Sequence, residues 1–138
     1  MIVDATDLIV GRMASKVAKR ALLGERVDVV NCESAIITGR KETVFKKYST
    51  LSSMGRHSKG PFYPRRSDMF VRRIIRGMLP HKQDKGRDAL KRIMCYVGVP
   101  DKFNEGKLET FKDTNVSKVP SLYYVNVGDL VKLLGGKK

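Results

Sequence analysis

The sequence predicts a single α/β domain, and three observations carry that prediction. Strand-like runs rich in Val and Ile alternate, over the first fifty positions, with segments whose apolar residues recur at helical spacing. The chain has 138 residues, 41% of them hydrophobic, and a domain that long buries about two-thirds of its unfolded surface in one core. Lys and Arg are concentrated: positions 40–92 hold sixteen against four acids, +12 of the formal +14. Positions 1–39 balance at five against five, and positions 93–138 carry only +2. Soluble surfaces ordinarily mix both signs, so a one-signed block of this size points to a polyanion as its counterpart.

Each element follows from local pattern. Ile2-Val3-Asp4-Ala5 is extended in character. Val10, Met13, Ala14, Val17, Ala18 and Ala21 recur at i, i+3, i+4 and i+7, one face of a helix, and Gly24 is placed to stop it. Arg26 to Asn31 is a buried strand, and Ala35-Ile36-Ile37 a second strand-like run ending at Thr38-Gly39. A helix over about 40–51 buries Val44, Tyr48 and Leu51. Strand, helix, strand, helix in sequence argues parallel neighbours.

Residues 52–67 break the pattern. Two glycines, two prolines and four serines make a long irregular arm, and loops of that length inside a compact domain are usually functional or disordered. Ser67 is expected to cap the next helix, with Asp68 in its first turn, Val71, Ile74, Ile75 and Met78 inward, Arg72, Arg73 and Arg76 outward, and Pro80 ending it. A polar helix over 84–92 leads to a strand at Ile93 to Val97. Gly98 to Val119 is mixed and without period. Ser121 to Val125 is a last strand. Asn126 with Asp129 approximates a capping box, and the closing helix buries Val127, Leu130, Val131 and Leu134 before Gly135-Gly136.

Composition excludes several function classes. No apolar run approaches the ~20 residues needed to cross a bilayer, and the first residues do not form a secretion signal, so a cytoplasmic location is expected. Cys32, Cys95, His57 and His81 are the only cysteines and histidines, and no two lie closer than 14 positions. Structural zinc sites use tight pairs, so no metal is expected, and the cysteines are expected as buried reduced thiols. Neither Thr6 to Arg12 nor Thr38-Gly39-Arg40-Lys41 matches a dinucleotide or phosphate-loop fingerprint. No hydrolase, zincin or dithiol motif occurs. Glu42, Asp68, Asp84 and Asp88 fall near predicted helix starts, where they complement the dipole. No enzyme activity, cofactor or small-molecule substrate is expected.

Polyanion binding accounts for more. The arm combines Arg56, His57, Lys59, Arg65 and Arg66 with Phe62 and Tyr63, which can stack on unpaired bases. Arg grips phosphate bidentately and stacks as well. The expected RNA-binding set is Arg56, His57, Lys59, Tyr63, Arg65, Arg66, Arg72, Arg73, Arg76 and Lys82, then Lys46, Lys47 and Arg87, with Arg12 and Arg40 at helix starts. Gly77, costly inside a helix, is expected to mark a close backbone approach to RNA or to the core.

Val3-Asp4-Ala5, Val10-Gly11-Arg12-Met13-Ala14-Ser15, Val29-Val30-Asn31, Thr38-Gly39-Arg40-Lys41, Lys47-Tyr48, Arg76-Gly77-Met78-Leu79-Pro80 and Tyr96-Val97-Gly98-Val99-Pro100 follow in order. Each is weak alone; together they resemble the universal large-subunit ribosomal protein L-thirteen family, over roughly Ile2 to Pro100. The arm from Gly55 to Ser67 resembles the archaeal and eukaryotic branch, and without the long eukaryotic C-terminal extension an archaeal-type member is expected. The resemblance implies a three-layer α/β/α domain with a small, mainly parallel four-stranded sheet. It also implies residence in the large ribosomal subunit, beside neighbouring ribosomal proteins and on the large-subunit rRNA, with a part in early assembly. No homo-oligomer is expected. Two rival classes differ in what they require. An RNA-modifying or nucleotide-dependent enzyme would use the Thr38-Gly39 junction, and an anionic-membrane binder needs an exposed apolar face among its cations.

Overall fold

The computed structural model describes residues 1–103 and 106–136. In chain order the regular elements are β1 (Ile2–Asp4), α1 (Val10–Leu22), β2 (Val27–Val30), β3 (Ile36–Thr38), α2 (Lys41–Ser53), α3 (Ser67–Gly77), α4 (Asp84–Lys91), β4 (Ile93–Cys95), β5 (Leu108–Glu109), β6 (Tyr124–Asn126) and α5 (Val127–Leu133). Val3 lies opposite Val29 in the parallel β1–β2 pair, and α1 is the crossover that parallel neighbours require. β4 joins β2 and β5 joins β1, giving a four-stranded, all-parallel sheet in the order β4-β2-β1-β5. All four β2 residues are buried, as expected of a central parallel strand covered on both faces.

The core is one apolar cluster joining sheet and helices. α1 buries Val10, Met13, Ala14, Val17, Ala18 and Ala21, the full set its spacing predicts. Gly24 follows its cap at φ 103°. α2 buries Val44 and Tyr48 and half-buries Leu51. Cys32 and Cys95 are both free and buried. The neighbouring Cys95 thiol and burial raise the Cys32 pKa well above its ordinary value, which keeps it a neutral thiol.

Several expectations need correction. β3 stands outside the four-stranded sheet: it pairs antiparallel with β6, Ile37 opposite Val125. The fourth strand is instead β5, two exposed residues within the stretch that showed no period; residues 104 and 105 of that stretch lie outside the described residues. On α3 the inward face is Phe70, Val71 and Ile75, with Ile74 half-buried, while Met78 sits at the C-cap, 42% exposed. Asp88 lies in the middle of α4, paired with Lys91 at 3.1 Å, and not at a helix start. The expected caps differ as well: Ser67 is the first residue of α3, whose N-cap is Arg66, and Asn126 occupies the N-cap of α5 but makes no side-chain capping bond.

Two local devices hold the frame. The Asp4 Oδ1 accepts bonds from the Thr6 backbone N–H (3.0 Å), the Thr6 hydroxyl (2.7 Å) and the Asn31 side-chain amide (3.0 Å). They tie the end of β1 to the residue after β2, where Asn31 takes a left-handed φ of 55° that Asn tolerates better than most residues. Gly86 provides the second, since a Cβ there would lie 2.1 Å from the Pro80 carbonyl oxygen. The turn into α4 therefore closes only over glycine.

Burial alone would raise the Asp4 pKa, but the bonds from Asn31 and Thr6 outweigh it and the net shift is downward. A carboxylate with a lowered folded-state pKa stabilises the fold above its unfolded pKa and loses that contribution as pH falls through the folded value. Asp4→Ala is expected to cost about 1–3 kcal/mol near neutral pH. In denaturant titrations the gap to the parent protein should close only in acid, below the usual carboxylate range.

Candidate nucleic-acid interface

The basic segment begins after β3, where Gly39 turns the chain and donates its N–H to the Tyr123 carbonyl at 2.9 Å. Arg40, the N-cap of α2, sets its guanidinium 5.5 Å from the exposed Tyr123 ring. Lys46 and Lys47 are exposed on the same helix, Lys47 lying 5.8 Å from the Tyr48 ring centroid.

After α2 the arm crosses to α3 and is anchored at one point. Tyr63 packs 5.7 Å from Tyr48 and 5.8 Å from Phe70, and Tyr48 meets Phe70 edge-on at 4.9 Å. These rings join α2, the arm and α3 into one knot. Burial, then the charge of Tyr63, raises the Tyr48 pKa. From the other side, Arg73 lies 4.4 Å over the Tyr63 ring and donates to the Phe62 carbonyl at 2.9 Å. The arm tip folds back on itself: Lys59 and Gly60 donate to the Arg56 carbonyl at 3.2 and 3.0 Å, leaving Arg56, His57 and Lys59 exposed.

The geometry sorts the sequence-derived residues. Arg56, His57, Lys59, Arg65, Arg76 and Lys82 are exposed. Arg66 pairs with Asp68 at 2.8 Å, and Arg87 pairs with Asp84. Arg72 and Arg73 are pinned by backbone carbonyls, Arg72 through Leu90 at 3.2 Å. They lie half-buried against the arm and α4 rather than on an outward face. Tyr63 is turned inward and its ring already packed, so the aromatic face offered outward is Phe62, 68% exposed. Arg12 stands exposed on α1. Gly77 makes no close approach to the core, since a Cβ there would meet open space.

Charge is distributed as the composition requires. Three of the four acids in the segment are spent on Arg66, Arg87 and Lys91, so most of its sixteen cations face solvent uncompensated. Elsewhere cations meet acids: Asp113 lies between Lys16 (3.1 Å) and Lys118 (3.3 Å), and Arg20 lies near Glu25 and Glu109. The hydrogen bonds from those two lysines, and their charge, hold the Asp113 pKa down. A cavity of about 610 Å³ between the turn after β2, α3 and α5 is lined by Glu33 and Asp129 as well as Arg66 and Lys132. Its carboxylates disfavour an anion. Among the described residues no three His, Cys, Asp or Glu cluster for a metal, and no helix is long and apolar enough to cross a membrane.

The molecule is thus an α/β scaffold whose distinguishing surface is a carboxylate-poor cationic flank. Comparison with known proteins says which scaffold. A family model described as Ribosomal protein L13 matches residues 1–102. The large ribosomal subunit protein uL13 of Methanococcoides burtonii is 41% identical over 99% of this chain and 98% of its own length. That of Methanococcus maripaludis is 46% identical over 99% and 98%, and that of Haloarcula marismortui 43% over 100% and 92%. The chain belongs to the ribosomal protein L13 family, a family of structural, non-enzymatic proteins.

Sequence offers Phe62 and Tyr63 as equivalent stacking residues, and packing decides which ring turns outward. Nor does any sequence signal bring Met69 and Leu90 beside Phe62 in a surface groove.

Because Tyr63 joins three elements, Tyr63→Ala is expected to cost about 2 kcal/mol and to free the arm. Limited trypsin digestion should then cut faster at Lys59, Arg65 and Arg66, with helix content by circular dichroism little changed.

Proposed function

We propose that this chain is a structural constituent of the large ribosomal subunit in the cytoplasm that binds large-subunit rRNA through its 40–92 flank and supports early subunit assembly. The observation that carries this reading is the asymmetry of charge: the 40–92 segment holds sixteen cations against four acids, while positions 1–39 balance at five against five and Lys16 and Arg20 of α1 meet carboxylates. A solvated surface gains nothing from that arrangement, whereas a phosphate backbone supplies the missing counter-charge. The names of the archaeal relatives give the assembly in which such a backbone is met. Arg56, His57, Lys59, Arg65, Arg76 and Lys82 are the residues assigned to direct phosphate contact, with Lys46, Lys47, Arg12 and Arg40 at the edges of the footprint. Arg66, Arg72, Arg73 and Arg87 hold the flank in shape while presenting their remaining N–H groups, and Tyr63 acts by anchoring the arm. Neighbouring ribosomal proteins are the other expected partners.

Arg56→Glu with Lys59→Glu and Arg65→Glu alters exposed side chains outside the aromatic knot, so the protein should remain folded. It should be depleted from large subunits on sucrose gradients by at least about tenfold relative to the parent chain, and unchanged occupancy overturns the reading. With about eight phosphate contacts, log K for rRNA fragments should fall with log salt at a slope of about −6 to −7; a slope near zero is equally fatal.

A further inference from the structure

A groove of about 340 Å³ opens between the arm and α3, at the small end of ligand sites, which start near ~300 Å³. Its floor is apolar: Phe62, 68% exposed, and Met69, 46% exposed, with Pro64 and Leu90 beside them. Its rim is three guanidiniums, Arg72, Arg73 and Arg76, and no acid is among its described lining residues.

Two of these guanidiniums are fixed before any ligand arrives. Arg72 spends one N–H on the Leu90 carbonyl, and Arg73 spends one on the Phe62 carbonyl while lying over Tyr63. A guanidinium has five N–H donors, so each keeps others for an anion. Holding them in place beforehand removes part of the cost of ordering long side chains on binding. The bond to the Phe62 carbonyl also locks the backbone that carries the exposed ring.

A flat apolar face beside fixed guanidiniums suits one ligand chemistry better than its rivals. A regular RNA duplex offers phosphates but keeps its base faces stacked inside, which would leave Phe62 and Met69 uncovered. A plain apolar side chain from a neighbouring protein would leave three cations desolvated without a partner. An unstacked nucleotide satisfies both halves, its base on the aromatic ring and its phosphates on arginine. We propose that the groove between the arm and α3 takes a single unstacked nucleotide of the large rRNA, its base against Phe62 and Met69 and its phosphates on Arg72, Arg73 and Arg76. This deepens the reading of the flank as an rRNA-binding surface and rests on it.

The test places p-azidophenylalanine at position 62 in the full chain, purifies large subunits and irradiates them. The expected result is a crosslink to one nucleotide, or two adjacent ones, unpaired in the rRNA. A crosslink to another ribosomal protein overturns the proposal in favour of an acidic peptide. A crosslink confined to a regular duplex, or none from subunits that carry the protein, overturns it as well. Failure of the parent chain to enter subunits would instead reject the ribosomal reading itself. Exchange of labelled protein from subunits gives a second measure. Phe62→Ala should speed release about tenfold or more, in line with the loss of one base–aromatic stack, and Phe62→Tyr should restore the parent rate. Phe62→Leu, which keeps apolar bulk without the ring face, should not. Equal release from all three rejects stacking.

Discussion

The aromatic knot of Tyr48, Tyr63 and Phe70, clasped from outside by Arg73, is the interaction on which the cationic flank depends. An arm bearing Arg56, Lys59, Arg65 and Arg66 has no electrostatic reason to lie against helices that also carry cations. Each pair of exposed like charges 10 Å apart costs only about 0.4 kcal/mol in water, less with salt, but the pairs are many and of one sign. Aromatic contacts contribute about 0.5–1.5 kcal/mol each beyond the area they bury, and three meet here. Packing therefore wins locally, and repulsion is left for the exposed tip, where water screens it.

The same balance explains how the cations on α3 divide. Arg72 and Arg73 lie against protein and are neutralised by no carboxylate; instead, backbone carbonyls accept from them. That choice keeps the full positive charge while fixing the side chain, which an ion pair would not do. Arg66 and Arg87 are held by Asp68 and Asp84 at the first turns of α3 and α4, where those acids also offset the helix dipole. Asp68 and Asp84 thus serve helix starts, Asp88 pairs with Lys91 within α4, and the rest of the segment's charge is left in place.

What the sequence made legible follows from where the information lies. The inward face of α1 was readable because six apolar residues repeat at helical spacing with no competing signal. The parallel β1–β2 pair is consistent with a short extended run and a valine-rich one with a helix between them. β5 was not readable: two exposed residues cannot show an alternation, and Leu108 and Glu109 join the sheet through backbone bonds to β1. Nor could sequence assign β3 to β6 rather than to the main sheet, because Ile36-Ile37 suits either position and the choice is made by contacts ninety residues apart.

The cationic site divides along the same line. Charge density is additive along the chain, so composition locates the flank before any fold is known. The roles within it depend on direction, which only packing decides. Tyr63 and Phe62 are neighbours with nearly the same chemistry, yet one closes the core and the other faces solvent. Met78 shows the converse, an apolar residue in helical register left outside because α3 ends at Gly77 before its face returns to the core. Asp4 and Asn31 show how two short fragments far apart in the chain act together. The carboxylate and the amide are one hydrogen-bonded lock across the ends of β1 and β2, and the left-handed turn after β2 leads into the strand and the Gly39 turn from which the flank begins. The neutral end of the sheet sets the starting direction of the cationic one.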